Sequence, residues 1–422
     1  MAAVAPALWR IDGERLWARL MALAQCGATP GGGVNRQALS AEEIASWRVM
    51  LDWAQACGLE PSTDAAGNLF IALPGVDREA PPVLAGSHLD SQPGGGRFDG
   101  VYGVVAALEV LVTLAERGVR PPVDLVCVAW MNEEGSRFAP GMMGSEAFAG
   151  VRDLASIRGT RDADGVSVAD ALDALHAAFP ALRRRPLGFP VAAYIEAHIE
   201  QGPLLEAQGR VIGVVEGIQG KKTFDVVIDG ERGHAGTLAM ADRRDALEAF
   251  TRIASALYAE VGGHDALVKF TIGRLQVEPN APSVVPERVT LRIDLRHPDN
   301  VVLDALGARL TVLCAQHAAP CEARVTPLVD APSNGFDAAL QQAIADAAER
   351  IGQSHMPILS AAGHDARHLA PLCPSAMIFI PCRGGVSHAE HEWAEPAHVT
   401  AGANVLLQVL LPYAMPDEGM TR

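Results

Sequence analysis

Four apolar runs in this chain end in the same way, and that recurrence restricts the fold more than any other feature. Val83-Leu84-Ala85 leads into His88-Leu89-Asp90, and the run 123–131 leads into Asn132-Glu133-Glu134. A third run ends in His198-Ile199-Glu200-Gln201, and residues 377–380 are followed by Ser387-His388. In an open α/β sheet, ligands gather beyond the carboxyl ends of the strands. Acid or histidine placed there four times implies a layered α/β domain with one polar edge. The run VDLVCVAWM at 123–131 is almost continuously apolar, as a strand covered on both faces requires.

The segments between these runs fit the same plan. Residues 16–24 and 41–58 read as helices. Ser40, followed three residues later by Glu43, is a capping-box pattern, and Gly58 is a good C-terminal stop. Strands at 68–73 and 82–89, a helix at 100–117 and the strand 123–131 make a βαβ unit. From 213 to 328 the order becomes strand 223–228, helix 242–261, strands 266–277 and 283–296, helix 301–317, strand 322–327. That β-α-β-β-α-β order is the split βαβ, or ferredoxin-like, pattern. A helix at 338–351 and a strand at 375–380 then resume the first domain. With 422 residues, two domains are the natural division. The expected architecture is a catalytic α/β domain (1–212 and 329–422) with a mixed sheet flanked by helices, and an inserted α+β domain (213–328).

The strand-end residues form a donor set. Side chains two apart on a strand share a face, so Asp90 is expected to accept the free ring N–H of His88 and fix its tautomer. Gly94-Gly95-Gly96 allows a tight turn that returns Asp99 towards His88. Three imidazoles (His88, His198, His388) and two carboxylates (Asp99, Glu134) exceed what one zinc ion takes from a protein. Five donors with one bridging carboxylate suit two metals about 3.5–4 Å apart. Glu133 is left over beside Glu134, where a general base belongs. Taken singly, an H-x-D, a Glu-Glu pair or a glycine run is ordinary loop chemistry. Their recurrence at four strand ends is what points to a cation site.

Bulk properties narrow the partners. A formal charge of −16 disfavours a nucleic-acid backbone, which basic patches recognise. Seven scattered cysteines with no C-x-x-C pair read as reduced thiols of a cytoplasmic protein. The first residues lack a basic n-region and a long apolar core, so no signal peptide is expected. The apolar stretch 101–115 contains Glu109 and is too short to span a bilayer.

GSHLDSQPGGGRFDG (86–100), NEEGSRF (132–138), HIEQG (198–202), GHAGT (233–237), AGHDA (362–366) and VSH (386–388) together resemble the amidase, hydantoinase and carbamoylase family. That family is a branch of the dinuclear metallopeptidase clan that includes carboxypeptidase G and metal-dependent aminoacylases. The resemblance runs from about residue 86 to 391. It implies hydrolysis of a linear amide or ureido bond in a small carboxylate-bearing substrate, N-carbamoyl-L-amino acids foremost, with allantoate and β-ureidopropionate as alternatives. It implies two divalent ions, Zn²⁺ first and Mn²⁺, Co²⁺ or Ni²⁺ as alternatives. One ion takes His88 and His198, the other Glu134 and His388, and Asp99 bridges them, with Glu133 as base. It further implies that the inserted domain is a lid through which the chain forms a homodimer. On that lid His234 holds the substrate carbonyl, from its own or the partner subunit, and Asn280 and Arg296 bind the substrate carboxylate. Gln201 lines the pocket. Ser91, Leu238-Ala239 and Ser283 depart from the family pattern near substrate-contacting segments, none at a ligand position.

Overall fold

A computed structural model describes residues 8–415, which divide into two compact units, 8–217 with 335–415, and 218–334. The first unit is built on a ten-stranded mixed sheet. Its centre is four adjacent parallel strands in the order Ser375–Ile380, Ala193–Ile199, Val83–His88, Leu125–Trp130. Leu69–Leu73 and Glu60–Thr63 extend one side antiparallel, and Ile212–Ile218 extends the other. Every residue of Val83–His88, Leu125–Trp130, Ala193–Ile199 and Ser375–Ile380 is buried, which is why these strands read as apolar runs rather than alternating ones.

The helix Val101–Glu116 fills the crossover between the first two of these strands in chain order and is buried from Val101 to Thr113 and at Leu114. The charge it carries into the core, Glu109, is fully buried. Arg15 and Arg19 of the helix Gly13–Leu23 reach it at 2.7 Å each. The helix Ala41–Ala56 starts where Ser40 predicts, with the Ser40 hydroxyl accepting from the Glu43 amide at 3.2 Å. The Glu43 carboxylate, however, reaches back to the amide of Leu39, not of Ser40, because Leu39 takes a left-handed φ of 58°.

The second unit has the strand order Lys269–Glu278, Arg288–His297, Gly220–Asp229, Glu322–Ala331, all antiparallel, as a ferredoxin-like unit requires. Strict burial alternation along Arg288–His297 gives it one face towards the helices Ala246–Glu260 and Asn300–Ala318. Asn300–Ala318 has the length and hydropathy of a membrane span. Its Leu303, Leu306, Leu310 and Leu313 are buried in this unit's own core, the stripe of an amphipathic core helix. The unit is 218–334 rather than 213–328. Residues 213–215 pair with 377–379 in the large sheet, and the last strand of the second unit runs on to Ala331.

Candidate metal centre

The chain passes from Val83–His88 to Leu125–Trp130 on one side, then to Ala193–Ile199 on the other. This leaves a crevice at the carboxyl ends where the order switches. His88 is the last residue of its strand and His198 the penultimate residue of its own. Glu133 and Glu134 follow Trp130 in the next turn, and His388 lies beyond Ser375–Ile380. All five sequence-selected donors therefore emerge at one edge, and the structure brings them together.

Asp99 is the hub. Its Oδ1 lies 3.2 Å from His198 Nε2 and 3.8 Å from His88 Nε2. Its Oδ2 lies 3.1 Å from His388 Nε2, which is itself 3.4 Å from a Glu134 oxygen. Two triads result, His88–Asp99–His198 and Asp99–Glu134–His388, each with its donor atoms within 4.8 Å of one another. Around a tetrahedral ion with bonds of about 2.1 Å, donors are about 3.4 Å apart. The observed separations bracket that value. The Glu133 carboxylate belongs to neither triad and comes to 3.6 Å from His88 Nε2.

The rings are set as ligands. His88 Nδ1 lies 2.9 Å from the Asp90 carbonyl and His198 Nδ1 2.9 Å from the Ile199 carbonyl, so each Nδ1 carries the proton and Nε2 faces the site. Backbone carbonyls thus fix both tautomers. For Asp90 this corrects the reading of its side chain: the carboxylate is 3.6 Å from the His88 ring and instead accepts the amides of Glu133 and Glu134 at 3.2 Å each. Asp90 shapes the Glu133-Glu134 turn. Gly100 is required twice over. Its φ is +65°, and a Cβ there would lie 2.3 Å from the His88 ring. Asn132, Gln201 and His388 also hold left-handed φ values of 54–56°, the kind of local strain that functional sites retain.

The charge balance calls for cations. Burial, then Asp365 and Glu134, push Glu133 well above the usual carboxylate range, and burial with Asp99 raises Glu134 to about 8. Asp90 rises to about 7 through burial, against the two amides it accepts. Burial takes His88 down to about 4, whereas His198 is lifted to about 9 because Asp99 outweighs its burial. The hydrogen bond to Asp99 lifts His388 to about 9. The buried cation nearby, Arg36, is spent on the carbonyls of Leu89, Leu23 and Cys26. A divalent ion satisfies such a donor set without protons, and mixed imidazole and carboxylate ligands suit it.

Residues 84–411 match the model of the peptidase family M20/M25/M40. The chain belongs to this family. An N-carbamoyl-L-amino-acid amidohydrolase from Rhizobium meliloti is 36% identical over 96% of this chain and 97% of its own length. An allantoate amidohydrolase from Bacillus subtilis (strain 168) is 33% identical over 93% of this chain and 95% of its own. A solved amidase of the hydantoinase/carbamoylase family from Burkholderia multivorans superposes with a TM-score of 0.90 at 42% identity, covering 97% of this chain and 99% of that one. The M20 chain is an amidohydrolase of that hydantoinase/carbamoylase group, with a donor cluster of metal-binding type that is buried on the His88 and His198 side and open at His388.

The remaining sequence-selected residues sit differently. Gln201 donates to Asp99 Oδ2 at 2.9 Å and to the Ser387 hydroxyl at 3.0 Å, so it touches the donor cluster itself. In the second unit His234 is exposed, and its Nδ1 accepts the amides of Gly236 and Thr237 at 3.0 and 3.2 Å. That leaves the proton on Nε2, free to donate. Asn280 is exposed with a φ of 53°. Arg296 grips Asp294 through Nε at 2.7 Å, and Lys221 shares that carboxylate at 3.1 Å. The strand-end pattern missed Gln92, which donates to Glu134 at 2.9 Å, and Glu392, buried beneath Asp99. Glu392 lies within a loop, so no periodicity announced it.

Proposed function

We propose that the chain hydrolyses the ureido C–N bond of an N-carbamoyl-L-amino acid, giving the amino acid, ammonia and carbon dioxide with consumption of water. The observation that carries this reading is one carboxylate, Asp99, shared between two ligand triads with a spare acid, Glu133, beside them. Two divalent ions, Zn²⁺ first and Mn²⁺, Co²⁺ or Ni²⁺ as alternatives, would supply a water that ionises near neutral pH and a Lewis acid for the carbonyl. His88, Asp99 and His198 would hold one ion, and Asp99, Glu134 and His388 the other. Glu133 accepts the proton of the attacking water and delivers it to the leaving nitrogen. His234, from the same or the partner subunit, donates Nε2–H to the carbonyl oxygen as charge develops there. Arg296 and Asn280 bind the substrate carboxylate; Arg296 exchanges Asp294 for it, carboxylate for carboxylate. The second unit serves as lid and homodimer contact. A reducing, cytoplasmic setting accords with seven free thiols.

The N-carbamoyl-L-amino-acid amidohydrolases from Rhizobium meliloti and Geobacillus stearothermophilus support this substrate class. The allantoate amidohydrolases from Bacillus subtilis and Escherichia coli support allantoate, a ureido acid of the same chemistry, as the second reading. Ammonia release from a panel of N-carbamoyl-L-amino acids and allantoate separates them, run on chelated protein reloaded with each metal. Turnover of carbamoyl amino acids well above allantoate is expected. Preference for allantoate selects the second reading, and no ureido hydrolysis with any metal rejects both.

A further inference from the structure

Glu392 lies outside both triads yet is 2% exposed and touches the elements that carry them. Its Oε1 accepts the amides of Phe98 at 2.9 Å and Asp99 at 3.1 Å. Its Oε2 lies 3.2 Å from the Ser387 hydroxyl, which is also 3.1 Å from Asp99 Oδ2. The glycine run explains how it gets there. A Cβ at Gly96 would sit 2.0 Å from the Glu392 carboxyl carbon, so the turn needs glycine because this carboxylate fills the space.

From this we infer that Glu392 is a positioning residue for the two-ion site: it clamps the Asp99 turn to the Ser387-His388 loop, so that the shared carboxylate and the second-triad histidine face one another. The Ser387 hydroxyl has one proton, and its Oγ also receives Gln201 Nε2 at 3.0 Å. Were an ion to engage Asp99, the Ser387 proton would still have Glu392 Oε2 to go to, so the loop would stay tied down. Without Glu392, two backbone amides lose a buried acceptor, and the links left between residues 98–99 and 387–388 all end on Asp99 Oδ2, from Ser387, from His388 and through Gln201, an atom of the shared carboxylate itself. The Asp99–Glu134–His388 triad then loosens. The His88–Asp99–His198 triad is less affected, because backbone carbonyls orient its rings.

This inference rests on the proposed two-ion reading, and metal titration keeps the two apart. Chelated wild-type, Glu392→Ala, Glu392→Gln and Ser387→Ala proteins would be titrated with Co²⁺, following d–d absorption and bound metal by elemental analysis. Failure of the wild-type protein to bind two equivalents rejects the two-ion reading itself. With two in the wild type, Glu392→Ala is expected to weaken the second equivalent about 10–100-fold, the usual cost of losing an outer partner of a ligand. The first should change far less. Glu392→Gln retains an acceptor for the amides and a donor to Ser387 Oγ, so it should recover most of the affinity; Ser387→Ala should fall between. Two equivalents of wild-type affinity in Glu392→Ala would overturn the inference, as would Glu392→Gln weakening both equivalents alike. If Glu392→Ala does not fold by circular dichroism, the glutamine and Ser387→Ala variants decide it: wild-type binding in Ser387→Ala overturns the clamp, and selective loss of the second equivalent supports it.

Discussion

Replacing Glu133 by glutamine removes a proton acceptor while keeping the side chain's size in a nearly closed space. Glu133 is 8% exposed and belongs to neither triad, so the ligand set is untouched. A general base contributes about two to four powers of ten in rate, which is about 2.7–5.4 kcal/mol of barrier. The variant should lose at least about 100-fold in kcat at a similar KM. Its metal content should stay at the wild-type value. The chelated variant should also be no less stable than chelated wild type, because burial, Asp365 and Glu134 all disfavour charge on Glu133. Ammonia release at saturating substrate, elemental analysis and thermal melts of both proteins test each part. Near wild-type turnover with full metal would remove Glu133 as the base. Loss of activity together with metal would make it a ligand instead.

Arg296→Ala should cut kcat/KM for acidic ureido substrates by about 1.5–3 kcal/mol, a charged hydrogen bond's worth. The second unit should still fold, since Lys221 remains at 3.1 Å to neutralise Asp294. An unchanged kcat/KM takes Arg296 out of substrate binding. Chelation should lower the melting temperature, because ions at about a thousand times their Kd add about 4 kcal/mol; identical melts with and without chelator argue that no ion is held. Gly100→Ala should abolish metal binding, as its Cβ would meet the His88 ring at 2.3 Å at a φ alanine avoids. Full metal content in that variant would show that the turn can move without cost.

What could be read from the residues followed the periodicity of buried parallel strands. The runs at 83–88, 125–130 and 375–380 announced both the sheet and the edge at which His88, Glu134 and His388 emerge. The β-α-β-β-α-β order announced the second unit, and its sheet order followed. Contacts made by backbone were invisible. Asp90 sits two residues from His88 on the same stretch, so a carboxylate–imidazole pair was the natural reading, but the main-chain carbonyl reaches Nδ1 first. Arg296 was read for a substrate, and Asp294 holds it here. Glu392 lies nearly three hundred positions from Asp99, and its only trace in the chain is a glycine at 96 with no evident local need. The domain boundary at 213 moved for a similar reason: Ile212–Ile218 was not read as a strand, and its pairing with Ser375–Ile380 assigns it to the large sheet.

Anomalous diffraction from crystals grown with Zn²⁺ or Mn²⁺ tests the shared carboxylate most directly. Two peaks about 3.5–4 Å apart are expected, one beside His88 and His198, the other beside Glu134 and His388, with an Asp99 oxygen on each. A single peak, or two peaks that do not share Asp99, would contradict the two-ion centre.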